Sequence, residues 1–466
     1  MNQVFAIAAG APSRFRNFVS AGETSALLGL AAPMVCVALV NMGMSITDTV
    51  MMGWISPTAL AAGAVVSDLY SIVYYFMAGI LSAVSPLIAH AMGAGNMGNV
   101  SRIMRRGFVA ALFLVVPASV SVWYASDLLG LFGVEERVIT LGREYARMMA
   151  LTIVPMMFVA VWRNAFAALS RPRVFLIATL AALPVNALAN YVLMFGLGEI
   201  PAMGLAGAGL ASALVAFGLV AGFSVYSFLN REMRDLRLFR HWRLVDRAGL
   251  QEIFRLGIPI GFYSIGEVGV FLLSTVIISL FGTEALAAHA ITLRMAGVVY
   301  AAALGLSQAA TVRVGYAVGR DDNLQVREAV WTSMAAGVVS GVAIFIGLSA
   351  TAAALPWMFL DAASAAAGDV AVHARDLLLL LGILSLGQSP RAMASAVLRG
   401  FKDTRVPMVL CLSGNWAIGM PVSYGAAFFL GYGADGVWAG LAVGVMASAL
   451  LMCGRLWQRN DGAWRS

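Results

Sequence analysis

The sequence predicts an all-α polytopic membrane protein, with twelve transmembrane helices in two pseudo-symmetric six-helix lobes. Three observations carry this expectation. First, 61% of the 466 residues are hydrophobic and only 11% are charged, against about 25% charged in ordinary soluble domains. Second, apolar runs recur along the whole chain, each near the ~20 residues that a spanning helix needs. Third, the motifs of the first half return in the second half in the same order.

The first run, Ala26 to Trp54, carries Pro33 and ends near an acid, Asp48. Five further runs follow in the first half, near 60–89, 107–125, 145–169, 174–196 and 203–229. The second half has six, near 253–281, 285–312, 329–350, 375–398, 406–430 and 434–457. Loops rich in arginine alternate with loops rich in acids. Arg102, Arg105 and Arg106 follow the second run, Arg313 and Arg320 the eighth, and Lys402 and Arg405 the tenth. Acids such as Asp127, Glu199, Glu284 and Asp361 occupy the intervening loops. Short basic loops stay cytoplasmic, which places both termini in the cytoplasm of a cell bounded by this plasma (inner) membrane. The same rule accounts for the net charge of +7, so nucleic acid is not an expected partner. The apolar patch of the N-terminus precedes its basic residues, an order opposite to a cleaved signal peptide.

These readings divide the chain into an N-terminal cytoplasmic segment 1–25, a first lobe 26–229, a linker 230–252, a second lobe 253–457 and a tail 458–466. The linker is the most polar stretch. Arg231, Arg234, Arg237, Arg240, Arg243 and Arg247 outnumber its acids, and the expected role is a solvated connector.

The halves are copies. LGLAAPM matches RLGIPIG, and MGAGN matches VGRDDN. WRNAFAALSRPR matches PRAMASAVLRGFKDTR, and MGLAGAGLASALV matches YGADGVWAGLAVGV. The offsets cluster at about 226–229 residues, the mark of one duplication. An even number of spans per copy gives both copies the same orientation, a parallel repeat. Such repeats favour alternating access over a static pore.

Polar residues inside the runs are the candidate functional groups, because ionisable side chains in a membrane are costly. Asn41, Ser45 and Asp48 fall at i, i+4 and i+7 and share a helix face. Asn186 and Asn190 share another, just after Pro184. Tyr263, Ser264, Glu267 and Ser274 form a polar stripe in the seventh run, and Gln388 and Ser389 stand beside Pro390 in the tenth. Asparagines in spans often serve only as glue between helices, at about 0.6 kcal/mol per hydrogen bond. Asp68 is expected to be hydrated. His90 and His289 lack a second ligand at helical spacing and are expected to pack or hydrogen-bond. Cys36, Cys411 and Cys453 show no metal-ligand or disulfide spacing and read as small core residues. No glycine-rich nucleotide loop is present, and no nucleophile, base or metal cluster suggests an enzyme. No cofactor is expected.

Taken in order, MGMSITDTVMMG, PVNALANYVLMFG, PIGFYSIGEVGVFLLS, ALAAHAITLR, RVGYAVGR and LRGFKD resemble the multidrug and toxic compound extrusion (MATE) family, in its NorM-like branch. The resemblance covers nearly the whole chain. It implies two six-helix lobes and efflux of small amphipathic, often cationic compounds in exchange for H+ or Na+, by a monomer without an obligate protein partner. It places cation or proton coupling on Asp48, Asn186, Asn190 and Glu267, with Asn41, Ser45, Tyr263 and Gln388 as contacts to substrate or cation. Na+ at Asp48 or at Glu267 is the metal alternative. One departure stands out. The branch often has a span-ten aspartate, preceded one turn earlier by a tyrosine, where this chain has Gln388 and Leu384. Glu267 is therefore expected to be a lone carboxylate, which moves weight toward Asp48 and toward protons. The competing expectation is a flippase for lipid-linked oligosaccharide, as performed elsewhere in the superfamily. Arg163 and Arg391 are the residues that would favour anionic cargo.

Overall fold

The computed structural model describes residues 20–130, 136–236, 238, 246–360 and 367–463. The expectations on Arg237, Arg240, Arg243, Asp361 and most of the N-terminal segment lie outside them. The described chain is all-α, with twelve helices long and apolar enough to cross a membrane. They are α1 (Ala21–Ile55), α2 (Pro57–Gly93), α3 (Met97–Trp123), α4 (Glu136–Ala168), α5 (Pro172–Phe195) and α6 (Gly204–Leu229). The second set is α7 (Arg247–Ser279), α8 (Thr283–Gly319), α9 (Asn323–Thr351), α10 (Ala367–Gly400), α11 (Arg405–Phe429) and α12 (Gly433–Gln458). Several extend past their apolar runs through amphipathic ends. The start of α4, for example, adds a polar turn from which Arg143 reaches Asp127 at 2.9 Å.

Local breaks have identifiable causes. The helical run of α2 is interrupted at Ser82–Ala83. Pro86 lacks the N–H that would bond the Ser82 carbonyl, and the Ser82 hydroxyl donates to the Gly79 carbonyl at 2.6 Å. In α11 the backbone widens into π-type turns at Ser413–Gly419 and Gly425–Phe429.

The duplication is visible in backbone detail. Between α2 and α3 the turn passes through Gly95 at φ 68°; between α8 and α9 it passes through Asp321 at φ 57°. The next residue caps the following helix in each case. Asn96 accepts from the Asn99 N–H and Asp322 from the Gln325 N–H, both at 3.0 Å. The turn is the same, but the second copy strains a non-glycine residue to make it.

By packing, the chain forms two compact units, Cys36–Ile265 and Met1–Val35 with Gly266–Ser466. The division passes through α1 and α7. In the first unit, the front half of α7 lies on the end of α2, where Gly79 and Gly261 meet backbone to backbone. Gly257 sits against the Ile80 carbonyl, where a Cβ would collide. In the second unit, the front half of α1 lies on α8, with Gly305 against the Val35 backbone. Gly305 is 226 residues beyond Gly79, and Gly261 is 226 beyond Val35. The same crossing is therefore built twice, and glycine permits the close approach in both copies.

The core of the first unit is an aromatic stack in which Trp162, Phe166, Phe223 and Phe175 meet at 5.2–6.3 Å between centroids. The second unit buries Trp438, Leu377, Leu378 and Leu381. The described ends of the linker are fixed to the first unit. Arg171 pairs with Glu232 and donates to the Tyr226 hydroxyl at 2.9 Å. The Ser101 hydroxyl donates to the Leu236 carbonyl at 2.6 Å, and Arg106 pairs with Asp246.

Candidate functional sites

In the first unit the polar centre joins α1 to α5. The Asn190 amide donates to the Asp48 carboxylate at 2.5 Å and to the Asn186 carbonyl oxygen at 3.4 Å. Asn190 is fully buried and Asn186 nearly so. One turn separates the two asparagines, so a single helix face aims both toward α1. The Asn190 side-chain oxygen is buried without a hydrogen-bond partner among the described residues. Asn41 and Ser45 occupy exposed positions of α1. Beyond it, α2 and α4 present a tyrosine group. The Ser67 and Tyr145 hydroxyls are 3.2 Å apart, and the rings of Tyr70 and Tyr74 stack at 5.9 Å.

In the second unit the polar centre is larger and more deeply buried. Glu267 of α7 is 5% exposed and Arg391 of α10 is 2% exposed. One guanidinium nitrogen, Nη2, contacts Glu267 Oε1 and donates to Gln388 Oε1 at 2.5 Å. The other, Nη1, donates to Asn415 Oδ1 at 3.4 Å and to Cys411 Sγ at 3.2 Å. Tyr300 of α8 donates its hydroxyl to Glu267 Oε2 at 3.2 Å, and Gln388 Nε2 approaches Oε1 at 3.5 Å. The π-type turn of α11 presents Asn415 to the guanidinium. A small cavity borders the cluster. Its interior of about 10 Å³ has room for about one water.

This corrects the expectation that Glu267 is a lone carboxylate: the Arg391 guanidinium lies on it. Gln388 does belong to the cluster, where it bonds both members of the pair. The polar stripe around Glu267 dissolves. Ser264 and Ser274 donate to carbonyls of their own helix, at 3.0 and 2.7 Å, a common fate for serine in spans. Tyr263 is buried.

His289 does hydrogen-bond, as expected. Trp438 donates its indole N–H to Nδ1 at 3.1 Å, which leaves Nε2 to donate to the Thr275 hydroxyl at 2.9 Å. The ring is thereby fixed as a neutral tautomer. Cys36 is exposed, and Cys411 serves the arginine cluster. Sequence reasoning did not join Tyr300, Cys411 or Asn415 to the site. The available signal was Arg391 itself, since an arginine inside an apolar span needs an acid within reach.

Twelve spans built from one duplicated six-helix unit, with a hydrogen-bonded acid inside a span of each packing unit, define a multi-pass membrane transporter. The MatE family profile matches residues 33–192 and 259–425. A probable multidrug resistance protein NorM of Mesorhizobium japonicum is 34% identical over 94% of both chains. A NorM protein of Bradyrhizobium diazoefficiens is 33% identical over 93% of this chain and 92% of its own. The chain belongs to the MatE family. In fold it is similar to the eukaryotic MATE transporter AtDTX14, with TM-score 0.84 and 20% identity over 93% of this chain and 95% of that one. An outward-facing MATE family transporter of the MOP superfamily aligns at TM-score 0.82 and 19% identity, over 94% and 96% of the two chains.

Proposed function

We propose that this protein exports small amphipathic, often cationic organic compounds by alternating access in exchange for protons, with Asp48 as the coupling group. The NorM relatives at 31–34% identity support multidrug efflux. The basic loops after the even-numbered spans support an inner-membrane protein with both termini in the cytoplasm. It acts as a monomer and needs no cofactor.

The observation that carries the proton reading is the Asp48–Asn190 contact. In the described state the amide N–H faces the carboxylate, as an ionised Asp48 requires. The amide oxygen lies buried with no hydrogen-bond partner among the described residues. Rotating the amide by half a turn exchanges these atoms, so the same side chain can accept a hydrogen bond from a protonated Asp48. Asn190 thus serves both protonation states without moving the helix. Asn186, as second acceptor, steadies the amide. The second acid, Glu267, retains a contributory role through its contact with Arg391, with weight shifted from ion exchange toward holding α7, α10 and α11 together. A cationic compound and a proton that both neutralise Asp48 weaken each other's binding by the same factor.

The test is Asp48→Asn. Cells producing this variant at normal membrane levels are expected to lose resistance to exported compounds. Full resistance would remove Asp48 from the mechanism.

A further inference from the structure

We propose that Arg391 is a tethered cation. Its guanidinium permanently fills an oxygen-lined site on Glu267, so the unit containing Gly266–Ser466 holds no exchangeable coupling ion there. The proposal deepens the coupling reading above but is judged by binding, independently of which residue couples transport.

The geometry carries the argument. Three side-chain oxygens from three helices converge on one positive group: Glu267 Oε1, Gln388 Oε1 and Asn415 Oδ1. A carboxylate and two amide oxygens are the donor set that a hard inorganic cation takes. Here the positive charge is supplied by the chain. The guanidinium is planar, always charged, and suited to carboxylate recognition in a dry site. The pair is neutral as a whole, and both members are at least nine-tenths buried. Adding Na+ would set two positive charges against one negative charge in a medium of low dielectric constant, where the repulsion is poorly screened. Expelling the guanidinium would bury an uncompensated cation. Neither route favours an exchangeable ion. The supports around the cage are equally specific. Asn415 reaches Arg391 from a widened turn of α11, and Tyr300 ties off the second oxygen of Glu267.

Removing the charge from Arg391 should therefore open the cage to an inorganic cation. The experiment is equilibrium binding of radiolabelled Na+ to purified full-length protein in an Asp48→Asn background, which removes the acid of the first polar centre. With Arg391 intact, no saturable binding dependent on Glu267 is expected. Arg391→Met should create saturable binding, and adding Glu267→Gln should abolish it. Arg391→Lys keeps the tethered charge and should remain silent. A folded Arg391→Met variant that binds no Na+ would overturn the proposal. So would Na+ binding by the Arg391-containing protein that Glu267→Gln removes. That second measurement needs no variant at Arg391, so it decides the matter even if Arg391→Met does not fold. A failure of the Asp48 reading would appear as efflux by Asp48→Asn and would leave these binding results standing.

Discussion

The two copies of the repeat carry the same arginine and treat it differently. Arg163 in α4 matches Arg391 in α10, 228 residues on. Around Arg391 stands Glu267, which corresponds to Asn41 in the first copy at an offset of 226. Asp48 corresponds in turn to Ser274, which bonds the carbonyl of Phe271 in its own helix. Each copy therefore places one acid inside the apolar run of its first helix, two turns apart in the repeat's own register. In the second copy the acid sits where the arginine holds it. In the first it meets an asparagine instead, and Arg163 is only partly buried. The lesson is that duplication conserved the crossings and turns, through Gly79/Gly305 and Gly95/Asp321, while the charges diverged. One copy pairs its acid with an arginine, and the other sets its acid against an amide.

The comparison breaks most severely if the neutralised pair is split. Glu267→Gln leaves the Arg391 charge buried without its carboxylate, a loss of about 3–5 kcal/mol where such pairs are measured. A large fall in the thermal midpoint of purified protein is expected, with recovery when Arg391→Met is added. Unchanged stability in Glu267→Gln would mean the pair is not held in the native protein.

A smaller effect is expected at Asn190. A hydrogen bond to a charged group contributes about 1.5–3 kcal/mol, and 1.36 kcal/mol in a barrier is about tenfold in rate. Asn190→Ala should slow gradient-driven efflux by about tenfold or more. Asn186→Ala, which removes only a 3.4 Å contact, should slow it by about threefold, corresponding to ~0.7 kcal/mol. Equal effects from the two would contradict the assignment of Asn190 as the direct partner of Asp48.

Much of this was legible in the sequence because the bilayer imposes simple rules. Span length, loop charge and the duplication gave the twelve helices. The four-residue spacing of Asn186 and Asn190 showed a shared face. What stayed hidden depended on rotation and on local backbone form. Helical spacing put Asn41, Ser45 and Asp48 on one face, but it could not tell that Asp48 is the one bonded to Asn190 of α5. Glu267 looked alone because its partner is distant in sequence and lies in α10. Asn415 could not be joined to the site because a π-type turn shifts its direction away from regular helical phase. Tyr263 and Glu267 lie four residues apart, yet the division between packing units falls between them.

The smallest predicted effect concerns Asp246, at the described end of the linker. Burial, the largest single influence, raises the Asp246 carboxyl. Together, the hydrogen bond from Arg106, the Gly249 N–H and the Arg106 charge outweigh it and hold the group below its usual value. A carboxyl lowered on folding stabilises the native state above its unfolded value, near ~3.9. That contribution is lost as pH falls through the folded value. Because Asp246 is half-exposed, solvent screening limits the pair to about 0–1 kcal/mol. Asp246→Asn should lower the thermal midpoint slightly at pH 7, and the difference from the parent protein should vanish in acid. A difference that persists in acid would assign the effect to packing.

The division of labour between the two acids is tested most directly by efflux from proteoliposomes under an imposed pH gradient in the absence of Na+. The account predicts that the parent protein exports a cationic compound under these conditions and that Asp48→Asn does not. A parent protein idle until Na+ is added, or an Asp48→Asn variant that exports at the parent rate, would contradict it.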